Sequence, residues 1–486
     1  MESPVVSVAE MRAAEASAFA RGISPEALME AAGAGIARAV EKFFPRRGHC
    51  VVFAGKGHNA GDAFVAARHL QHRGWTAEVR LAFPQESFAD LALENFLRLE
   101  PAADPNRGPV IVLDGLLGIG AALPLRDPIR SACREINRLR REENAFVVAL
   151  DLPTGLDADS GAADPDTVIA DLTATIGFAK RGLLADEALN YVGRLEVISL
   201  QELTDTPVAT AVVATNSTLR ALLPRRKFGA YKNQFGRVGV IAGSEGLTGA
   251  AVLCACGALR GGAGLVELFI PREIYPIVAA SAPPEVMVKP VDSYRELLDA
   301  HCDVWAIGPG LGRARAEEIL ALVRQLPSPA VIDADALNIL SDSPHALDDC
   351  AGPRLFTPHP GEMKRLFPGM PQTRAEIARA FCAKHPVTLL LKGSRTIVHG
   401  RDRTLSYNPT GTPAMATGGM GDVLTGVCAA LIGQGLALYD AARLGAWVCG
   451  RAAELAVAAG EVGEESLLPS DLLEFLGRAF DDLRAG

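Results

Sequence analysis

Asn408-Pro-Thr-Gly-Thr-Pro-Ala-Met-Ala-Thr-Gly-Gly-Met-Gly-Asp422 is a run of small residues that ends on a carboxylate and leads into an apolar helical pattern through Val423, Val427 and Leu431. Glycines let successive backbone N–H groups converge, and the following helix adds its unpaired donors and positive dipole end, so the segment suits phosphate. A carboxylate beside phosphate is useful when it takes a proton, which makes Asp422 a candidate general base on a substrate hydroxyl. The plainer alternative is an N-cap aspartate after a tight turn. Upstream, the apolar run Val387 to Leu391 ends in Lys392-Gly393-Ser394-Arg395-Thr396. That places two cations and two hydroxyls where ligands of open α/β sheets bind, although alone it also reads as a surface turn.

The first half carries a second set. Cys50 to Ala54 runs into Gly55-Lys56-Gly57-His58-Asn59-Ala60-Gly61-Asp62 and then a helical pattern through Phe64, Ala67 and Leu70. This strand, glycine loop and helix suit a phosphate or dinucleotide, without the G-x-G-x-x-G spacing of a dinucleotide fingerprint. Asp114 follows the run Val110 to Leu113, and Asp151-Leu-Pro-Thr154-Gly155 follows Phe146 to Leu150. Asn59, Asp114 and Thr154 offer amide, carboxylate and hydroxyl oxygens with no His or Cys, a set for a hard cation such as an alkali ion; turn and cap roles stay open for each. Asp151 is the acid–base candidate of this half.

Apart from the 408–422 segment, which leads into a helix, these residues sit at the ends of short apolar runs, and the runs dictate the elements. Cys50 to Ala54, Ala77 to Ala82, Val110 to Leu113, Phe146 to Leu150, Leu172 to Ile176 and Leu195 to Ile198 alternate with helical stretches in the first half. Val238 to Ile241, Leu265 to Ile270, Val304 to Ile307, Ala330 to Ile332, Arg354 to Phe356 and Val387 to Leu391 do so in the second. Runs apolar throughout, each followed by a glycine-containing turn and a helix, are what parallel strands covered on both faces require. Residues 7–43 are predicted helical, with Ser7 and Glu10 at capping-box spacing and a break from Gly22 to Pro25. Beyond Asp422 the pattern is helical almost throughout. Between Leu200 and Leu222 it weakens, and 486 residues exceed one ordinary core. Two α/β domains are therefore predicted, 1–210 and 211–486.

Composition narrows the classes. A net charge of −9 and no basic run longer than Arg225-Arg226-Lys227 give no face for a nucleic-acid backbone. The nine cysteines are scattered and lack paired metal-ligand spacing, so they read as reduced thiols. The absence of a leader pattern and of an 18-residue apolar span makes the cytoplasm the expected compartment, with no membrane partner.

Further strand ends in the second half carry small or polar residues that would line one crevice: Gly243-Ser244 leading to Ala250, Gly308-Pro-Gly310-Leu-Gly312, Asp333-Ala-Asp-Ala-Leu-Asn338 and Thr357-Pro-His359-Pro-Gly-Glu362. With Lys232-Asn-Gln-Phe-Gly236, Lys392 to Thr396 and Gly418-Gly-Met-Gly-Asp422, they closely resemble the ADP-dependent NAD(P)H-hydrate dehydratases over nearly this whole half. The resemblance implies a ribokinase-like domain that restores hydrated nicotinamide to the reduced cofactor while ADP becomes AMP and phosphate, with Mg2+ present. It places Asp422 at the hydrate with Ala250, Gly310 and His359, and the nucleotide at Lys392, Gly393, Ser394, Arg395, Thr396 and Gly421.

Residues from about Val8 to Leu200 resemble the NAD(P)H-hydrate epimerases, through Leu28-Met-Glu-Ala-Ala-Gly33, the 55–62 loop, Asp114 to Gly120, Asp151 to Gly155 and Phe178-Ala-Lys180-Arg-Gly182. This implies a Rossmann-like three-layer domain holding K+ at Asn59, Asp114 and Thr154. The hydrate would be bordered by His58, Asn59, Ala60, Gly61 and Asp62, by Gly118, Ile119, Gly120, Ala121, Ala122, Leu123 and Pro124, and by Asp151. The substrates implied are the R and S hydrates NADHX and NADPHX, and a homo-oligomer is expected. The chain departs from the family loop Asn-Asn-Gly-Gly-Asp-Gly at His58, Ala60 and Ala63: a Cβ at 60 and 63 could obstruct a close backbone approach or a positive φ, and the imidazole at 58 is bulkier than the amide it replaces, while the metal-facing and acidic positions are intact and a working epimerase is expected. The rival readings are a ribokinase-like small-molecule kinase with a non-catalytic N-terminal binding domain, and a nucleotide-sensing module without catalysis.

Overall fold

Cys50, Val52 and Ala54 pack into one apolar cluster with Ile36, Phe64 and Leu70, while Val51 and Phe53 pack into another with Ile129, Ile136 and Leu139. Successive Cβ atoms of a strand point to opposite faces, so a strand apolar throughout needs a helical layer on each side. The computed structural model describes residues 2–44, 46–101, 108–205, 208–223, 225–347 and 350–485. It divides the chain into two units, Ser3–Val213 and Ala214 onward with the first two residues.

The first unit contains β1 (Ser3–Val6), β2 (His49–Ala54), β3 (Thr76–Leu81), β4 (Val110–Gly115), β5 (Phe146–Leu150), β6 (Leu172–Ile176), β7 (Ala179–Lys180), β8 (Arg194–Ile198) and β9 (Ala211–Val213). Six of them form a parallel sheet in the order β3-β2-β4-β5-β6-β8. Helices Pro25–Phe43 and His58–His72 lie over one face and Ile129–Glu143 over the other, giving three layers. The other strands pair outside this sheet, β1 with β7 in parallel and with β9 antiparallel. The predicted capping box at Ser7 and Glu10 starts helix Val8–Ala20, and Ser24 caps the next through Ala27 N at 3.1 Å.

The second unit adds β10 (Arg237–Ile241), β11 (Leu265–Pro271), β12 (Met287–Val291), β13 (Val304–Ile307), β14 (Ala330–Ile332), β15 (Arg354–Phe356), β16 (Thr388–Leu391), β17 (Ile397–Gly400) and β18 (Leu405–Tyr407). The order β12-β11-β10-β13-β14-β15-β16 is parallel, and β17 and β18 continue it antiparallel. Helices Thr248–Arg260, Met420–Gly433, Leu438–Ala458 and Pro469–Ala485 share one apolar core against this sheet. The first two cross at backbone contact: a Cβ on Gly426 would lie 2.0 Å from the Cys254 carbonyl oxygen, and one on Gly257 would lie 2.4 Å from that of Val423. That crossing fixes the helix that carries Asp422.

Candidate active sites

In the second unit the loops at the carboxyl ends of the parallel strands are tied to one another. Ser244 Oγ donates to Gly310 O at 2.8 Å, Gly312 N to Asp335 Oδ2 at 2.8 Å, and Lys392 N to Pro358 O at 2.8 Å. A Cβ on Gly310 would sit 2.9 Å from the Ala250 methyl, so these two predicted residues are neighbours. Asp422 lies in the first turn of helix Met420–Gly433, whose N-cap is Gly419 at φ 96°, a left-handed conformation suited to glycine. The N-cap alternative for Asp422 is thereby excluded. The early part of the glycine run does other work: Asn408 Nδ2 donates to Thr410 O at 3.1 Å, and Gly411 N to Glu454 Oε1 at 2.9 Å, bracing the loop on helix Leu438–Ala458.

The charges meet at Lys392. Its Nζ donates to the buried Asp333 Oδ1 at 2.7 Å and stands 4.0 Å from Glu362; Thr425 Oγ1 donates to Asp333 Oδ2 at 2.8 Å. A Cβ on Gly421 would be 3.1 Å from Lys392 Nζ, which brings the predicted nucleotide residues 392 and 421 together. Burial opposes the charge on Lys392, but Asp333 and Glu362 outweigh it and hold its pKa above the ordinary value. Asp422 is pushed up to about 7, first by burial and then by Asp333, against the pull of Lys392. The ring of His359 turns to its own helix, Pro360–Leu366, with Nδ1 accepting from Gly361 N at 3.0 Å. Gly393 and Ser394 are exposed, Thr396 Oγ1 donates to Gly393 O at 3.1 Å, and Arg395 is buried at φ 55°.

In the first unit Asp114 lies inside β4, which runs two residues past the Leu113 end of the apolar run, and is fully buried. Its carboxylate accepts from Thr154 N and Thr154 Oγ1, both at 2.8 Å, and from Leu116 N at 3.3 Å. Burial pushes it up to about 6 against those hydrogen bonds. Asp151, at φ 67°, follows β5 and accepts from the buried Lys180 Nζ and from Ile176 N at 3.2 Å. Gly118 joins the two groups, since a Cβ there would be 3.5 Å from Asp151 Oδ2 and 3.6 Å from Asn59 Oδ1. Ile119 and Ala121 are half-buried, whereas Gly120, Ala122, Leu123 and Pro124 run exposed. His58 opens helix His58–His72 on the surface; Asn59, Ala60 and Gly61 are buried in its first turn.

The departures at Ala60 and Ala63 do not obstruct this geometry. Both lie inside the helix, fully buried in the apolar cluster with Phe64, and neither has a positive φ. The two carboxylates that face the Asp151–Lys180 pair were not singled out together from sequence. Asp62 is raised well above its ordinary value by burial and by Asp151 and Glu15, and Glu15 is raised by burial and by Asp151 against Lys180 and His58. Asp333, Glu362, Thr425 and Lys180 all stand in the quoted motifs or beside them, but Glu15, half-buried on the first helix, stands in none. Among the described residues no cluster of three or more His, Cys, Asp and Glu side chains is placed to hold a metal ion.

Residues 238–477 match the family described as NAD(P)H-hydrate dehydratase, and residues 25–182 match that described as YjeF-related protein N-terminus. The bifunctional NAD(P)H-hydrate repair enzyme of Moorella thermoacetica is 36% identical, over 97% of this chain and 96% of its own. The chain belongs to the bifunctional NAD(P)H-hydrate repair enzymes. The Escherichia coli K12 member is 35% identical over 94% of this chain and 90% of its own. A ribokinase-like superfamily protein of Enterococcus faecalis V583 superposes with a TM-score of 0.50 at 26% identity, covering 58% of this chain and 99% of that one. The second unit is thus ribokinase-like, and the chain is an enzyme of cofactor repair with an epimerase half and a dehydratase half. The small-molecule kinase reading is not favoured. No helix among the described residues is long and apolar enough to cross a membrane.

Proposed function

We propose that the Ala214-onward unit dehydrates the S hydrate of NADH or NADPH at the expense of ADP, with Asp422 as its base. Hydroxide is a poor leaving group, so the hydrate's C6 hydroxyl must first become a phosphate ester. Asp422 takes the hydroxyl proton as the oxygen attacks the β-phosphorus of ADP and AMP departs. The ring nitrogen then expels phosphate with the C6–O electron pair, and loss of a proton from C5 restores the double bond. Lys392, Gly421 and the 393–396 loop hold the phosphates, while Ala250, Gly310 and His359 border the hydrate. Magnesium enters with the nucleotide, where it neutralises phosphate charge and keeps part of its water shell. The observation that carries this reading is a carboxylate raised to about 7 in a helix first turn, beside a lysine anchored by Asp333.

The Ser3–Val213 unit interconverts the R and S hydrates at Asp151: its carboxylate, held by Lys180, takes the C6 hydroxyl proton as the C6–N1 bond opens to an aldehyde and the ring nitrogen gains a proton, and the nitrogen then re-adds to the opposite aldehyde face as the proton returns to oxygen. The oxygen set Asn59, Asp114 and Thr154 fits potassium in its donor chemistry: all three offer oxygens, and Asp114 is a fully buried carboxylate whose hydrogen bonds come from Thr154 and Leu116. A bound K+ would supply the charge that Asp114 lacks beside it and fix the 114–118 loop next to Asp151. A homo-oligomer in the cytoplasm remains the expected setting. The test is Asp422→Asn: turnover of S hydrate is expected to fall by on the order of 10²–10⁴-fold with ADP affinity retained, and near-wild-type turnover would remove Asp422 from the mechanism.

A further inference from the structure

Arg374 is the first residue of helix Arg374–Lys384, which leads into β16, so it stands at the carboxyl end of the sheet where the ligand loops gather. A cation there is electrostatically misplaced for the helix itself. The first turn of a helix carries the positive dipole end and favours acidic residues. Helix stability is served instead by Thr373 and Glu376, whose capping box is complete: Glu376 N donates to Thr373 Oγ1 at 3.3 Å and Thr373 Oγ1 to Glu376 Oε2 at 2.9 Å.

Its guanidinium lies on the 392–396 loop. Gly393 has φ 141°, a conformation side-chain-bearing residues rarely adopt, and a Cβ built on it would fall 2.9 Å from Arg374 Nη1. The bare backbone at 393 therefore leaves room for the guanidinium beside the residue that follows Lys392. Arg374, from its helix, thus joins Lys392 and the buried Arg395 at the 392–396 loop, three cations of which Lys392 is paired with Asp333 and stands 4.0 Å from Glu362. Such a concentration suits a polyanion, and a planar fork of donors suits phosphate oxygens in particular.

We infer that Arg374 is a further phosphate-binding residue of the nucleotide site, contacting the diphosphate of ADP across Gly393. The inference rests on the reading that residues 392–396 hold the nucleotide. The test is calorimetric titration of the full-length protein and of its Arg374→Gln and Arg374→Lys variants with ADP and with adenosine, alongside steady-state KM for ADP. ADP binding is expected to weaken roughly 10- to 100-fold in Arg374→Gln, with partial recovery in Arg374→Lys, kcat at saturating ADP within a few-fold of wild type, and adenosine binding unchanged. ADP affinity within twofold of wild type would overturn the inference, as would an equal loss for adenosine, which would make Arg374 a support of the loop rather than a phosphate ligand. Wild-type protein that binds neither compound would remove the nucleotide reading of the loop itself, and the inference with it.

Discussion

At the scale of single residues, the proposed chemistry of the second unit turns on where Asp422 titrates. Raised to about 7, chiefly by burial, it is half ionised near neutrality, which suits a general base. The dehydratase rate at subsaturating hydrate is expected to rise about tenfold per pH unit up to about 7 and then level off. A profile flat from pH 5 to 8 would show that this carboxylate is not the base. Stability has the opposite sign. A carboxylate whose folded pKa exceeds its unfolded one stabilises the fold while protonated, and that contribution is lost as pH rises through the folded value. Asp422→Asn is therefore expected to raise Tm relative to wild type above pH 7 and to leave it unchanged near pH 3, as read by thermal melts at both pH values.

At the scale of elements, glycines set how closely the site-bearing helices approach their neighbours. Gly426→Ala would drive a methyl into the Cys254 carbonyl and separate the two helices that position Asp422. A loss of about 1–3 kcal/mol is expected in the second unit, together with most dehydratase activity, while epimerisation survives. Chemical melts with the two activities assayed in parallel check this. What sequence showed and what it hid follow the same physics. Parallel strands buried on both faces, such as Phe146–Leu150 and Val304–Ile307, announce themselves as unbroken apolar runs, and their ends named Asp151 and Gly308–Gly312. Other strands lack that signature: β7 is only Ala179-Lys180, polar residues or proline interrupt β1 (Ser3, Pro4), β12 (Lys289, Pro290), β17 (His399) and β18 (Ser406), and β9 is a three-residue run in the weakly patterned stretch between the halves. Glu15 and Arg374 were hidden for a different reason, since each reaches its site from another element through space. At Ala60 and Ala63 the sequence pattern misled, because a motif rich in glycine suggested a loop where the chain is already helical and packed.

At the scale of the whole molecule, the two units carry separable tasks. On the proposed division of labour full repair of a mixture requires both, since the second unit would consume only the S hydrate and the first would convert R to S. Each unit has its own buried core and its own carboxylate, so a substitution in one site should leave the other reaction intact. The most direct measurement is the recovery of reduced-nicotinamide absorbance when an R/S mixture of NADH hydrate is given ADP, magnesium, potassium and either wild-type protein or Asp151→Asn. Complete recovery with wild type, and an arrest at the S fraction with Asp151→Asn, is the predicted result; no ADP-dependent recovery with wild type, or recovery by Asp151→Asn as fast and complete as by wild type, would contradict it.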